Sequence, residues 1–221
     1  MTLEEDINFP DNPEPRCPVI LLLDTSKSMS GERIQKLNSG IAAFKQEVEK
    51  DTIASLRVEV AIITFNNSAE MVQNFVTIDQ FIPPKLIASG STAMGEGIDL
   101  ALNKLEARKS IYKEYGISYY QPWVFLITDG IPTDKWEEAA KLVKKAVDER
   151  KLSFFIVGVQ GANLNFLRNI AHPNTPPVML DGLKFQELFS WLSASLTRVS
   201  TSQVDDKINL PPIDGWAQVR A

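Results

Sequence analysis

Residues 19–28, with the sequence VILLLDTSKS, determine the fold that we predict for this 221-residue chain. Five consecutive apolar residues form a strand that is buried on both faces, which is typical of the centre of a parallel sheet. The run stops at Asp24, and a short polar loop follows it. Residues 123–130, WVFLITDG, repeat this pattern with an apolar run that stops at Asp129. Both aspartates therefore fall at the ends of predicted central strands.

Helices and further strands alternate along the rest of the chain. Apolar residues from Ile34 to Val48 recur at spacings of three and four, which predicts an amphipathic helix against the sheet. Residues 56–65 and 69–77 predict two strands joined by a tight Asn-Asn-Ser turn. Further helices are predicted around residues 98–105, 136–147, 164–170 and 185–196, and further strands at 154–159 and 178–180. The alternation predicts one doubly wound, Rossmann-like α/β domain, with helices on both faces of a mostly parallel sheet that has one antiparallel edge strand.

The predicted domain lies between two less regular segments. Residues 1–16, which combine three prolines with acidic residues, are interpreted as an irregular N-terminal arm, residues 17–199 as the domain and residues 200–221 as a C-terminal tail. Within the tail, residues 210–216 (LPPIDGW) are too apolar for a fully solvated segment. They either pack back onto the domain, with Trp216 covering apolar surface, or dock onto a partner as a proline-rich peptide.

The charge, the cysteine count and the lengths of the apolar runs argue against several classes of function and cellular location. Lys and Arg number 23 against 28 Asp and Glu, a net charge of −5, whereas proteins that bind the nucleic-acid backbone normally carry a basic excess. Cys17 is the only cysteine, so no disulfide can form within the chain. No apolar run reaches the ~18 residues of a membrane helix, and the acidic N-terminus does not resemble a secretory signal. We therefore expect a cytoplasmic protein without nucleic-acid or membrane partners.

Polar side chains gather where the two central strands are predicted to end. In doubly wound sheets, ligands bind beyond the carboxyl ends of the strands, where the winding direction reverses. The side chains that offer an oxygen at this edge are those of Asp24, Ser26, Ser28, Thr92 and Asp129. Carboxylates and hydroxyls are hard ligands that suit Mg²⁺ or Mn²⁺, and the set contains no His or Cys to favour zinc. The sequence therefore predicts a divalent-cation site at this edge.

Several other residues have simpler expected roles. Lys27 lies between the two serines and is expected to face solvent, because a charged amine cannot ligate a metal. Asp134 is interpreted as the N-cap of the helix through Trp136. His172, the only histidine, is expected at the surface without a role in the site. Residues 112–120 are interpreted as a surface connection.

The site segments resemble the metal-ion-dependent adhesion site (MIDAS) of von Willebrand factor A domains. The segments that carry the likeness are DTSKS at residues 24–28, GSTAMG at 90–95 and ITDG at 127–130, in the order found in that family. The likeness extends over about residues 18–196. It implies that all five oxygen-bearing residues ligate the metal, and that an acidic side chain of a partner protein completes its coordination. It also implies a binding module rather than an enzyme.

Within that family, the chain resembles the small bacterial intracellular TerY-like proteins, which are associated with tellurite resistance. The stand-alone size and the general character of the loops carry this likeness. It implies a role beside a protein kinase and a phosphatase in stress or defence signalling.

Two other interpretations of the site stay open at this point. Asp24 could act as the nucleophile of a metal-dependent phosphohydrolase or phosphotransferase, with Asp129 nearby. That class usually has a second acidic residue two positions after the nucleophile, where this chain has Ser26. The domain could also be a structural scaffold with a non-functional metal site. We favour the binding module because the site segments contain no recognisable general base or activated nucleophile.

Overall fold

A single mixed sheet organises the chain. The computed structural model describes residues 12–204, 206 and 208–218. These residues form a sheet of seven strands. In chain order the strands are β1 (Cys17–Asp24), β2 (Val58–Phe65), β3 (Ala69–Thr77), β4 (Trp123–Thr128), β5 (Ser153–Gly158), β6 (Val178–Leu180) and β7 (Ala217–Gln218). Their spatial order is β3-β2-β1-β4-β5-β6-β7.

The sheet is parallel except at its two edges. β1 pairs in parallel with β2 and β4, and β5 continues the parallel arrangement towards β6. β3 pairs antiparallel with β2, which confirms the predicted antiparallel edge strand. β7 pairs antiparallel with β6 at the opposite edge. The segment predicted as a tail therefore supplies a second antiparallel edge strand that the sequence pattern does not reveal.

Helices cover both faces of the sheet, as predicted. They are α1 (Glu32–Val48), α2 (Thr52–Arg57), α3 (Met94–Glu114), α4 (Glu137–Asp148), α5 (Leu164–Leu167) and α6 (Phe185–Ser200). Leu21 of β1 belongs to the core under α1 and α6, whereas Leu22 belongs to the core under α3 and α4. Successive side chains of a strand point to opposite faces, so the apolar run of β1 serves both cores. Among the described residues, no helix has the length and apolar character needed to span a membrane.

The strand predicted from residue 56 begins later because a short helix precedes it. The Asp51 carboxylate accepts hydrogen bonds from the backbone amides of Ile53 and Ala54, at 3.0 and 2.9 Å. Such an N-cap satisfies amides that have no partner within the helix. Leu56 therefore lies in α2, and β2 starts at Val58.

The interpretation of residues 112–120 as a surface connection is wrong for Tyr120, which is buried, and for Tyr112. This tyrosine lies in the last turns of α3 and is fully buried. Its hydroxyl donates a hydrogen bond to the carboxylate of Glu59. Arg108 donates two further bonds to the same carboxylate, at 2.9 and 2.5 Å. The sequence pattern does not reveal this burial, because Tyr112 contacts the charged pair of Glu59 and Arg108 rather than a row of aliphatic side chains.

His172 is buried rather than exposed, which corrects the expectation for this residue. Its Nδ1 accepts a hydrogen bond of 3.1 Å from the backbone amide of Asn174, so the ring proton belongs on Nε2. Nε2 lies 3.0 Å from Oδ1 of Asp148, at the end of α4. The histidine thus ties a loop to a helix and has no part in the predicted metal site.

The segment 210–216 packs onto the domain, which agrees with the first of the two interpretations of this segment. Trp216 is buried, and its ring centroid lies 5.2 Å from that of Trp191 in α6. The indole nitrogen of Trp191 donates a 2.8 Å hydrogen bond to the carbonyl of Pro211. The backbone amide of Asp181 donates to the carbonyl of Trp216 at 2.8 Å. These contacts bring the chain back to the sheet, where β7 forms.

Candidate metal centre

The predicted site residues lie at the carboxyl edge of the sheet, between β1 and β4. From β1 the chain continues outward to β2 and β3, and it returns to the other side of β1 as β4. Leu23 and Ile127 are partners in the register of β1 and β4, so Asp24 and Thr128 end the two strands at the same level. The winding of the sheet reverses here, which is where such sheets bind their ligands.

Asp24 is completely buried at the end of β1. Its Oδ1 accepts a 2.8 Å hydrogen bond from the backbone amide of Ser26, and its Oδ2 accepts a 2.6 Å bond from the hydroxyl of Thr128. Burial raises the pKa of the Asp24 carboxyl, the hydrogen bonds from Ser26 and Thr128 lower it in part, and the charge of Asp129 raises it further. No Lys or Arg among the described residues forms an ion pair with this carboxylate. A buried negative charge in this setting favours a bound cation.

The two serines connect Asp24 to the second aspartate. A short 3-10 helix over Lys27–Met29 turns the loop so that the hydroxyl oxygens of Ser26 and Ser28 lie 2.9 Å apart. The Ser28 hydroxyl donates a 2.6 Å hydrogen bond to Oδ1 of Asp129. Ser28 is exposed, whereas Ser26 and Asp129 on either side of it are buried, so this row of oxygens reaches solvent at Ser28.

Thr92 reaches the site through packing against Gly130. A methyl group at Gly130 would lie 3.5 Å from Oγ1 of Thr92 and 3.7 Å from Oδ2 of Asp24. The threonine hydroxyl and the aspartate therefore face the same small region. Thr133 holds the Thr92 loop in place from the β4 side, since its hydroxyl accepts the Thr92 amide at 3.1 Å and its own amide donates to the Thr92 carbonyl at 2.9 Å.

Asp134 caps α3 rather than α4, which corrects its predicted role. Its carboxylate accepts hydrogen bonds from the backbone amides of Gly95 and Glu96, at 3.1 and 2.8 Å. The N-cap of α4 is Trp136. A Cβ at Gly95 would lie 2.1 Å from the carbonyl oxygen of Lys135, so only glycine lets the two loops approach this closely. The loop after β4 and the loop before α3 thus form one braced unit around Thr92.

Arg33 is part of the site, although nothing in the sequence pattern singles it out. It is the second residue of α1, and its Nη1 lies 2.6 Å from Oδ2 of Asp129 and 2.8 Å from the carbonyl oxygen of Ser28. Lys27 is exposed, as predicted, and among the described residues it forms no ion pair. The only signal for Arg33 is a cation in the first turn of the helix that follows the serine loop. That signal is too common to be informative.

The donor set fits a hard divalent cation. Four of the five predicted residues form a continuous chain of contacts, and Thr92 lies beside Asp24 across Gly130. The described residues contain no cluster of three or more His, Cys, Asp or Glu side chains that could hold a metal. The candidate centre has a different composition, with two carboxylates and three hydroxyls. Such a set of oxygen ligands suits Mg²⁺ or Mn²⁺.

Solved structures with low sequence identity share the fold of this chain. A von Willebrand factor type A protein from Catenulispora acidiphila aligns with a TM-score of 0.60 and 16% identity, over 83% of this chain and 43% of its own. Proximal thread matrix protein 1 from the mussel byssus, solved with a zinc-occupied MIDAS motif, aligns with a TM-score of 0.54 and 17% identity, over 82% of this chain and 47% of its own. BatB from Bacteroides thetaiotaomicron aligns with a TM-score of 0.53 and 22% identity, over 82% of this chain and 98% of its own.

The chain thus spans less than half the length of the first two of these structures. No curated protein sequence matches it at a significant level. The family profile of the von Willebrand factor type A domain matches residues 19–189, which include most of β1, all of β4 and the loops that carry the candidate site. Since this match covers most of the chain, the protein belongs to the von Willebrand factor type A domain family.

Proposed function

We propose that this protein is a binding module in which a divalent cation captures an acidic side chain of a partner protein. The ligands of the cation are Asp24, Ser26, Ser28, Thr92 and Asp129. The observation that carries the proposal is the row of oxygens from buried Asp24 through the two serines to Asp129, which opens to solvent at Ser28. Domains of this family commonly carry such a site and mediate protein interactions.

Mg²⁺ or Mn²⁺ is the proposed metal. Both ions prefer oxygen ligands, and the donor set offers only carboxylates and hydroxyls. The mussel protein holds zinc in its MIDAS motif, so zinc is the natural competitor to include in any binding experiment. We place Mg²⁺ and Mn²⁺ before zinc because the five proposed ligands include no His or Cys.

The proposal also includes that the protein performs no chemistry by itself. A phosphohydrolase with Asp24 as nucleophile usually has a second acidic residue two positions later, and this chain has Ser26 there. Ser26 contacts the Asp24 carboxylate and Ser28, and neither serine supplies a general base. The one histidine is engaged with Asp148 instead of the site. These contacts favour a site that binds over a site that reacts.

The biological setting is part of the same proposal. We propose a cytoplasmic protein of the TerY-like type, whose acidic partner is a kinase or phosphatase in stress signalling linked to tellurite resistance. The resemblance of the loops and the size of the domain support this setting. The physical requirement on the partner is simpler, namely an exposed Asp or Glu that reaches the site at Ser28, where the row of oxygens meets solvent.

Titration with Mn²⁺ tests the proposed site, with water-proton relaxation as the measurement. We expect one Mn²⁺ per chain in the wild type and a loss of binding in Ser26→Ala and in Asp24→Ala. Ser110→Ala is the matched control, because Ser110 is an exposed serine on α3 whose hydroxyl donates to the carbonyl of Glu106. Equal Mn²⁺ binding by all four proteins would contradict the ligand assignment. Hydrolysis of a phosphate ester by the wild type and not by Asp24→Ala would favour the enzyme instead.

A further inference from the structure

We propose that Arg33 weakens metal binding in the absence of a ligand and thereby couples metal binding to capture of the acidic partner. The inference rests on the proposed function and adds a regulatory residue to it. It concerns how the site responds to the metal and to the acidic side chain of the partner protein. Arg33 can affect both, because its side chain is a cation that contacts Asp129, one of the proposed metal ligands.

The contact is close and directed. Nη1 of Arg33 lies 2.6 Å from Oδ2 of Asp129, whose side chain is only 2% exposed, while the arginine side chain is 30% exposed. A Cβ at Gly161 would lie 3.7 Å from Nη2, so the guanidinium lies between Asp129 and the loop after β5. Oδ1 of the same carboxylate accepts the hydroxyl of Ser28. Arg33 thus contacts Oδ2 of Asp129, while Oδ1 contacts the serine loop.

This arrangement changes the charge that a metal would meet. Asp24 and Asp129 contribute two negative charges, and Arg33 contributes one positive charge, so the site carries a net single negative charge. A divalent cation reverses this to a net single positive charge. Without Arg33 the loaded site would be neutral. The guanidinium therefore repels the metal and, once the metal is bound, leaves a positive site that attracts a carboxylate.

Thermodynamic coupling follows from this charge balance. A carboxylate that completes the coordination neutralises the loaded site, so it binds better when Arg33 is present. Coupling between two ligands is reciprocal, which means that the carboxylate also tightens the metal. The protein would then hold its metal firmly only while it holds its partner.

A purely structural role for Arg33 predicts the opposite sign. If the guanidinium served only to orient Asp129, its removal would loosen the carboxylate and weaken metal binding. If it acts mainly through its charge, its removal strengthens metal binding. The sign of the change in affinity thus separates the two roles without reference to any activity.

Calorimetric titration with Mn²⁺, in buffers with and without acetate as the probe carboxylate, measures this sign. Without acetate, we expect Arg33→Gln to bind Mn²⁺ about tenfold more tightly than the wild type, and Arg33→Lys to stay within about threefold of it. Lys36→Gln removes the same charge from an exposed position one turn along α1, and it should change affinity less than about twofold. Acetate should tighten Mn²⁺ binding more in the wild type than in Arg33→Gln.

The possible failures are distinguishable. Mn²⁺ binding to Arg33→Gln that is weaker than or equal to the wild type overturns the charge role and leaves the proposed function intact. An equal effect of acetate on both proteins overturns the coupling. Absence of Mn²⁺ binding to every protein overturns the proposed function and this inference together. Circular dichroism of each variant establishes that the comparison is made between folded proteins.

Discussion

The hydroxyl of Thr128 donates a 2.6 Å hydrogen bond to Oδ2 of Asp24, although the two residues lie 104 positions apart in the sequence. Both side chains are completely buried. The threonine oxygen also accepts the backbone amide of Gly130 at 3.1 Å. This residue therefore connects the ends of β1 and β4, and it fixes the orientation of a proposed metal ligand without being a ligand itself.

Replacement of Thr128 by the similarly shaped valine should destabilise the protein by about 1–3 kcal/mol, because it leaves one oxygen of a buried carboxylate without its hydrogen bond. Urea unfolding monitored by tryptophan fluorescence measures this change. Thr52→Val is the control, since Thr52 is exposed on α2, and its effect should stay within about 0.5 kcal/mol. A Thr128→Val protein as stable as the wild type would show that the bond contributes nothing to stability.

Asp24→Asn should stabilise the metal-free protein more at pH 7 than at pH 4. Burial raises the pKa of Asp24 in the folded state above its ordinary value of 3.8. The folded state thus binds the Asp24 proton more tightly than the unfolded state does, and this contribution to stability is lost as pH rises through the folded pKa. Asparagine carries no charge at either pH, so it avoids the loss.

The comparison requires urea unfolding of both proteins in a chelator at the two pH values. The free energy gained by Asp24→Asn at pH 7 should exceed the gain at pH 4. If Asp24→Asn increased the free energy of unfolding equally at both pH values, ionisation of the buried Asp24 carboxyl would not destabilise the folded protein.

Asp129→Asn should reduce the stabilisation of the protein by metal. A cation that binds only the folded state stabilises it by mass action, by about 2.7 kcal/mol at a concentration of 100 times Kd. Thermal melting with and without Mg²⁺ measures the increase in Tm, which the loss of one carboxylate should diminish. Asp79→Asn removes an exposed carboxylate elsewhere and should retain the full increase. An unchanged increase in Asp129→Asn would remove Asp129 from the ligand set.

Glu59→Gln should destabilise the protein by about 3–5 kcal/mol while leaving metal binding unchanged. Glu59 and Arg108 form a buried ion pair, with side chains 2% and 8% exposed, and removal of one partner leaves the other charge uncompensated. Glu138→Gln breaks an exposed pair with Lys141 and should leave the free energy of unfolding nearly unchanged, because water screens such pairs. Equal effects of the two substitutions in urea unfolding would contradict this account.

Cys17 should react with thiol reagents only when the protein unfolds. The residue is buried in β1, and burial raises the pKa of its thiol to about 12. The reactive thiolate is therefore scarce and inaccessible at pH 8. Labelling by a chromogenic disulfide in native buffer and in urea tests this prediction, with Ser110→Cys as an exposed thiol that should react at once. Rapid labelling of native wild-type protein would contradict it.

The sequence pattern predicts the centre of the fold because burial there is continuous. Residues 19–23 of β1 and 123–127 of β4 have no polar residue on either face, and such runs are typical of strands in a parallel sheet that is covered on both sides. β7 could not be predicted, since it consists of only two residues and depends on a distant partner in β6. Tertiary pairing decides whether so short a segment forms a strand.

In the candidate site, too, residues in local motifs could be predicted, whereas residues that act through distant partners could not. Its five oxygen-bearing residues follow from motifs on three loops, and the structure brings these residues together. Arg33, Thr128 and Asp134 could not be assigned, because each acts on a residue far away in the sequence. Asp134 illustrates the reason, since a local N-cap is the simplest reading of an aspartate before a helix, yet its carboxylate caps α3. Local signals do not state which helix an aspartate will serve.

The pairing of β7 with β6 also affects the order in which the protein can mature during synthesis. β6 is three residues long, and its outer edge is covered by residues 217–218. Until those residues leave the ribosome, the nascent sheet presents an open edge on which another chain could add a strand. Trp216, buried against α6, arrives at the same late moment. The sheet is therefore completed, and the edge of β6 covered, only after every other strand of the domain has been translated.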